Sequence, residues 1–275
     1  MRTHSSQKTP VGGLSAHRRR LGGSRALAPI AALWRGIRLG ARSLGLKVLW
    51  SSLRYQQDGL ATEHNADFSR DARFVRAYTL GRATGSWRGR EIQWRAYVAC
   101  WAAEHASRLP GDMVECGVYR GGLSRTVIEY VGFDRLPKTF FLLDTFCGIP
   151  EDRILPEEHR LGRGLERYEE CYEEVVRTFA RYPNVTIIRG PVPDTLSQVT
   201  TERVCYLSLD MNSAAAETAA LEHFWDKLVP GAIVLLDDYG FRDYAPQKYA
   251  MDAFAAERGI SILSLPTGQG LIVKV

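Results

Sequence analysis

From residue 91 onward, the chain switches between two periods of apolar residues. Ile92, Trp94, Tyr97, Val98, Trp101 and Ala102 recur at spacings of three and four, which predicts a helix over 91–108 that Pro110-Gly111 stops. Short apolar runs bounded by turn residues predict buried strands at Met113–Val118, Thr139–Leu143, Val185–Arg189, Val204–Leu209 and Ala232–Leu236. Helices are expected at Leu123–Val131, Leu165–Arg181, Ala219–Leu228 (ended by Pro230-Gly231) and Gln247–Arg258. The last two strands, Ile260–Leu265 and Gly270–Val275, are joined by Pro266-Thr267-Gly268-Gln269 alone. That link is too short for a parallel crossover, so the pair must be an antiparallel hairpin. Alternating strands and helices predict an α/β fold. The sheet is doubly wound, mostly parallel and seven-stranded, with helices on both faces and a C-terminal antiparallel hairpin.

Ahead of this region the pattern differs. Residues 1–24 are rich in Ser, Gly and Arg and are expected to be disordered. From Pro29 to Tyr55, Ile30, Leu33, Ile37, Leu44 and Val48 keep helical spacing while Arg35, Arg38 and Arg42 fall opposite. Such a basic amphipathic helix suits docking on its own domain, contact with a second subunit in a homo-oligomer, or an anionic membrane surface through residues 27–55. The expected organisation is a basic tail with its helix at 1–57, a helical lead-in at 58–110 and the sheet domain at 111–275.

Charge sharpens this division. Of 275 residues, 36 are Lys or Arg and 31 are Asp or Glu, but residues 1–57 hold eleven of the bases and no acid. The remainder carries 25 bases against 31 acids, so the basic balance belongs to the tail and no nucleic-acid partner is expected. No run of about 18 uncharged apolar residues exists to span a membrane. Cys100, Cys116, Cys147, Cys171 and Cys205 show neither CxxC nor zinc spacing, and read as reduced thiols. Arg18-Arg19-Arg20 before the apolar run Ala26–Trp34 loosely mimics an export signal, but Arg35, Arg38 and Arg42 follow at once and no A-x-A site appears. A cytoplasmic placement is expected, peripheral at the inner membrane face if the basic helix binds lipid.

Three predicted strands end in acid: Asp144, Asp210 and the pair Asp237-Asp238. Ligands of open α/β sheets bind outside the carboxyl ends of the strands. N-capping by Asp explains any one of these acids, but explains all of them poorly. The first strand leads into Glu115-Cys116-Gly117-Val118-Tyr119-Arg120-Gly121-Gly122 and a helix. Gly117, Gly121 and Gly122 permit close backbone approach, and the helix start with Ser124 offers N–H donors. The G-x-G-x-x-G fingerprint of dinucleotide sites is absent. Glu115 would repel a pyrophosphate but suits an ammonium group. Asp144 is placed for two ribose hydroxyls, as in nicotinamide enzymes too. Asp210, Asp237 and Asp238 offer hard oxygen ligands for Mg²⁺, with Asn212 a weaker fourth contact. Gly148 to Gly164 is long and polar for an α/β loop and reads as a lid. His159 within it is a candidate base or simply a solvent-facing residue. Tyr239, Asp243 and Gln247 could face an acceptor or cap and cover the surface.

The motifs Val114–Gly122, Leu143–Pro150 and Leu235–Tyr239 together resemble those of the macrocin O-methyltransferase (TylF/MycF-like) family, over roughly Trp94 to Val275. The resemblance implies a class I, Rossmann-like methyltransferase domain that uses S-adenosylmethionine and magnesium to methylate a hydroxyl of a sugar or glycosylated metabolite, in natural-product or polysaccharide biosynthesis. It implies cofactor contacts at Glu115, Gly117, Gly121, Gly122, Ser124, Asp144 and Thr145, and metal ligands at Asp210, Asp237 and Asp238. Asp210 is the candidate catalytic base where it is not fully committed to the metal, and positioning with metal polarisation can suffice without a separate base. The chain departs from the family's fourth-strand motif at Asn212 and Ala214, which bears on the acceptor more than on the chemistry. The competing readings are a nicotinamide-dependent oxidoreductase, a metal-dependent glycosyltransferase and a membrane-associated non-enzymatic adaptor.

Overall fold

Strand β3 (Asp112–Cys116) shows how the sheet is built: four of its five residues are buried, because both of its faces are covered. A computed structural model describes residues 53–161 and 168–275. The tail, including the basic helix expected over 27–52, lies outside the described residues. A hairpin opens the described chain, β1 (Tyr55–Gln57) against β2 (Leu60–Thr62). Helices α1 (Ala72–Arg82), α2 (Gln93–Ala106) and α3 (Gly122–Val131) flank β3 in the chain. Strand β4 (Phe140–Asp144), the short helix α4 (Pro156–Arg160), α5 (Tyr172–Phe179) and β5 (Val185–Arg189) follow. The second half holds β6 (Val204–Leu209), α6 (Ala214–Trp225), β7 (Leu228–Leu236), α7 (Ala245–Glu257), β8 (Leu263–Ser264) and β9 (Gly270–Val273).

The seven strands run in the order β5-β4-β3-β6-β7-β9-β8. The first five are mutually parallel, and β9 is antiparallel to both β7 and β8. This is the doubly wound sheet with a terminal antiparallel hairpin that the hydrophobic pattern predicts. Alternation along each strand feeds two cores. Met113, Phe140, Leu142, Tyr206, Ile233 and Leu235 pack under α1, α2, α3 and α5. Val114, Cys116, Leu143, Leu207, Leu209, Val234 and Leu236 pack under α6 and α7 with Phe224, Met251 and Phe254. Small residues at Ala96, Ala99, Ala102, Ala103 and Ala106 let α2 lie close on the sheet.

Several boundaries differ from the predicted ones. Pro230-Gly231 does not separate a helix from a strand but sits inside β7, where the pairing with β6 shifts register between Val204 and Tyr206. Helix α6 accordingly begins earlier and ends at Trp225. Only Leu263 and Ser264 of the predicted 260–265 strand join the sheet, while Ile260 and Ile262 pack, partly buried, against the second core. Helix α1 carries no predicted counterpart beyond the general helical lead-in; Asp71 caps it by accepting from Phe74 N at 2.9 Å. The first hairpin straddles residue 57, where the tail was expected to end, and Tyr55 lies in a strand and not in a helix. The described chain is one unit starting at Leu53. All five cysteines are free thiols, four buried and Cys147 exposed. No helix of the described residues is long and apolar enough to cross a membrane.

Candidate active site

Register brings the motifs together. Cys116 pairs with Leu143 and Leu209, and Leu209 with Leu236, so the residues just beyond them share one edge of the sheet. The ladder continues one step further, with Gly117 N donating to Leu143 O, Asp210 N to Cys116 O and Asp237 N to Leu209 O at 2.9–3.0 Å. The chain leaves β3 towards β4 and later returns on its other side as β6, so this edge is the switch point where ligands of such sheets bind. A cleft of about 330 Å³ opens there, lined by Glu115, Gly117, Asp144, Thr145, Asp210 and Asn212, and by Asp237 and Asp238.

The glycine turn is shaped by the protein as much as by any ligand. At Gly117 (φ +90°) a Cβ would meet Asp210 O at 1.9 Å, so only glycine lets β3 and β6 close at the switch point. A Cβ at Gly121 would strike the Phe179 ring, and one at Gly122 would strike Ser86, whose Oγ accepts from Gly122 N at 2.8 Å. Asp144 clamps the turn from the next strand. Its Oδ2 accepts from Val118 N and Tyr119 N at 2.6 and 2.7 Å, and its Oδ1 from Phe146 N at 2.6 Å. A carboxylate has about four acceptor sites, so three backbone bonds leave little for two ribose hydroxyls. Thr145 Oγ1 donates to Gly148 O at 2.5 Å and ties the same turn to the next loop.

Glu115 is buried and reaches the cleft. Ser124, fully buried, donates to its Oε2 at 2.8 Å and thereby orients it instead of facing the cleft itself. Burial pushes the Glu115 carboxyl up to about 8; the Ser124 bond opposes this, and Asp237 and Asp144 add to it.

Asp210, Asp237 and Asp238 each offer an oxygen within 4.8 Å of the others. Burial, then the charges of Asp237 and Asp238, hold Asp210 well above the usual carboxylate range, while Arg95 pulls it down. Arg95 and Gln269 are the partners that sequence reasoning missed. Arg95 Nη1 lies 2.8 Å from Asp237 Oδ2 and its Nε 2.7 Å from Asp58 Oδ2. Gln269 Nε2 donates to Asp237 Oδ1 at 3.0 Å. Glu217, from α6, lies behind the cluster, accepts from Met211 N at 3.2 Å, and is raised to about 8, chiefly by burial and then by Asp210.

Other candidates fall outside. Tyr239 Oη donates to Asp252 at 2.6 Å on the far face, Gln247 is buried in α7 and Asp243 is exposed. None of the three lines the cleft, whereas Phe241 and Tyr244 of the same turn do. His159 is exposed and away from the cleft. The described part of the predicted lid is docked: Glu158 is buried, with Oε1 accepting from Ala214 N at 2.7 Å and Oε2 from Leu155 N at 2.9 Å. It thus braces the segment holding Asn212 and Ala214, while Ile149, Pro150 and Arg153 line the mouth. Residues 162–164 of that stretch lie outside the described residues. The segment 86–95 also lines the cleft with Ser86, Trp87, Arg88 and Arg90, a contribution without local signal in the sequence.

The macrocin-O-methyltransferase family profile matches residues 63–263, starting within the predicted lead-in and stopping before β9. Mycinamicin III 3''-O-methyltransferase of Micromonospora griseorubida is 30% identical over 48% of this chain and 56% of its own length. An O-methyltransferase of Streptomyces olivaceus, which acts at the 4' position of a dimethoxyrhamnosyl tetracenomycin C, is 33% identical over 49% of this chain and 55% of its own. The chain thus spans little more than half the length of these relatives. Two solved structures share the fold. The O-methyltransferase NovP aligns with a TM-score of 0.57 at 24% identity over 66% of this chain and 79% of its own. The calicheamicin methyltransferase CalS11 aligns at 0.52 and 16% identity over 81% and 98%. The profile match covers most of the chain and contains the glycine turn and every acid of the cleft floor; the chain belongs to the macrocin O-methyltransferase family.

Proposed function

We propose that this protein transfers a methyl group from S-adenosylmethionine to a hydroxyl of a sugar or glycosylated small molecule, with Mg²⁺ at Asp210, Asp237 and Asp238. The observation that carries this reading is one cleft holding both a glycine turn with a buried glutamate and a three-carboxylate floor. The Streptomyces olivaceus relative named above acts on a rhamnosyl-bearing molecule, which supports the acceptor class.

The donor set fits a hard divalent cation. Asp210, Asp237 and Asp238 each present an oxygen to one point of the cleft floor, and Arg95, paired there with Asp237, is shared with Asp58. Bound there, Mg²⁺ would act as a Lewis acid on the acceptor hydroxyl. The protein's own residues do the rest. Glu115, oriented by Ser124, faces the ammonium of the methionine part. Asp144 and the Gly117 turn set the backbone against which the nucleoside lies. Asp210, half-buried between the two halves of the cleft, accepts the acceptor's proton. Bound in the cleft, S-adenosylmethionine would supply the methyl group and leave as S-adenosylhomocysteine, an O–CH₃ bond replacing S–CH₃ while Asp210 would take the hydroxyl proton.

Asp237→Asn and Asp238→Asn, assayed with radiolabelled methyl donor and a panel of glycosylated acceptors, should lose at least about a hundredfold in turnover. Their S-adenosylmethionine affinity by calorimetry should stay near that of the parent, and EDTA should reproduce the loss until Mg²⁺ is restored. Asparagine caps about as well as aspartate. Active asparagine variants, or full turnover in EDTA, would therefore return these acids to a capping role.

A further inference from the structure

Helix α2 delivers a guanidinium into the acid floor, and the N-terminal hairpin holds that helix in place. The N-cap Ile92 offers no side-chain acceptor. Instead Tyr55 Oη accepts from Trp94 N at 2.9 Å, and Gln57 Oε1 accepts from Gln93 N at 3.4 Å. The Tyr55 ring also meets Trp94 edge-on at 5.1 Å. The hairpin turn is Asp58-Gly59, both with positive φ (50° and 77°), the conformation of a tight two-residue connection. It aims the Asp58 carboxylate at Arg95, with Oδ2 at 2.7 Å from Nε and Oδ1 at 3.4 Å from Nη2. The third nitrogen, Nη1, is left for Asp237. Arg95 and Asp237 are both largely buried, with side chains 13% and 7% exposed. On its far side Asp237 is fixed by Gln269, itself held by Thr267 Oγ1 at 2.9 Å.

We propose that Arg95 is a tethered counter-ion for Asp237 that competes with the divalent cation, and that Asp58 sets the strength of this competition by sharing the guanidinium. This rests on the cation reading above and deepens it. The physical reason is a contest of charges at short range in a partly dry site. A guanidinium hydrogen-bonded to a ligand oxygen repels an incoming divalent ion and draws electron density from its ligand. A second carboxylate on the opposite edge of the guanidinium offsets part of that repulsion. Removing Arg95 and removing the charge of Asp58 must then act with opposite signs on cation affinity. A scaffold residue has no such signature, since its loss only loosens the site.

The test is Mn²⁺ binding to the full chain, read by electron paramagnetic resonance, in the parent, Asp58→Asn, Arg95→Met, Arg95→Lys and Asp58→Asn/Arg95→Met. Asp58→Asn should weaken Mn²⁺ binding by roughly three- to tenfold, and Arg95→Met should tighten it by about tenfold. In the Arg95→Met background the Asp58 substitution should lose most of its effect. Circular dichroism and a melting curve establish folding for each variant. If Arg95→Met fails to fold, Arg95→Lys decides: one ammonium cannot reach both acids in the geometry of the fork, so the Asp58→Asn effect should shrink in that background. Weaker binding in Arg95→Met, or an undiminished Asp58→Asn effect without Arg95, overturns the proposal. Parent protein that binds Mn²⁺ with no shift in any variant overturns it alone. Parent protein that binds S-adenosylmethionine but no Mn²⁺ removes the cation reading, and this proposal with it.

Discussion

Glu115 shows what burial does to a single residue. It is 1% exposed, bonded only to Ser124 among side chains described, and raised to about 8. At neutral pH the free protein therefore holds a proton there. An ammonium group arriving in the cleft favours the carboxylate and expels that proton. Binding of S-adenosylmethionine should release close to one proton at pH 7, measurable by calorimetry in two buffers of different ionisation enthalpy. Affinity should climb between pH 6 and 8 and then level. Glu115→Gln should abolish the release and weaken binding. Proton-neutral binding at pH 7 by the parent would remove Glu115 from the ammonium site. The residue type and its place at a strand end were legible in the chain; the raised carboxyl was not, because it comes from helices packed over the strand.

Among the elements, the first hairpin is the least expected and the most connected. Three residues in each strand cannot be stable alone. It persists by capping α2, with Tyr55 buried against Trp94 and Phe68. Tyr55→Phe keeps the ring and leaves the Trp94 N–H without its acceptor, which should cost about 1–2 kcal/mol in chemical denaturation. An unchanged midpoint would mean that water replaces the phenol and that the cap contributes nothing. A cut after residue 57 would sever β1, so trimming at Leu53, where the described unit begins, is the sounder boundary. No periodicity marks such short strands, and the helix they cap lies more than thirty residues away, as the 39-residue separation of Tyr55 and Trp94 shows.

At the scale of the whole molecule, one edge of the sheet concentrates acids whose carboxyls are held high. Glu115 and Glu217 are raised to about 8 by burial, and Asp210 lies well above its ordinary value. A buried acid with a raised value binds its proton more tightly folded than unfolded. Its contribution is complete below about 4.5 and is lost as pH rises to about 8. The melting temperature should therefore fall between pH 5 and 8.5, and Glu217→Gln should flatten that slope. Mg²⁺ should restore more stability at pH 8 than at pH 5, since it needs the deprotonated floor. A parent protein that grows steadily more stable up to pH 8, with no effect of Glu217→Gln, would contradict this electrostatic picture.

Hydrophobic periodicity and the residues after each run encode the parallel sheet, the terminal hairpin and the acids at its strand ends. A run of apolar residues encodes a strand buried on both faces, and the residue after it must lie at the sheet's edge. Asp144, Asp210, Asp237 and Asp238 were therefore readable as one group before any contact was known. Tertiary structure alone decided which groups answer them. Arg95 stands 142 residues from Asp237 and 37 from Asp58, and Gln269 stands 32 from Asp237. Local periodicity records which face of an element is buried, and carries no information about which distant element covers it. It could not reveal that Gly117 is required by the Asp210 backbone, that Ser124 serves Glu115, or that Tyr239 turns to the opposite face. Those assignments follow from strand order and from helices laid across the sheet, and both are settled only when the whole chain packs.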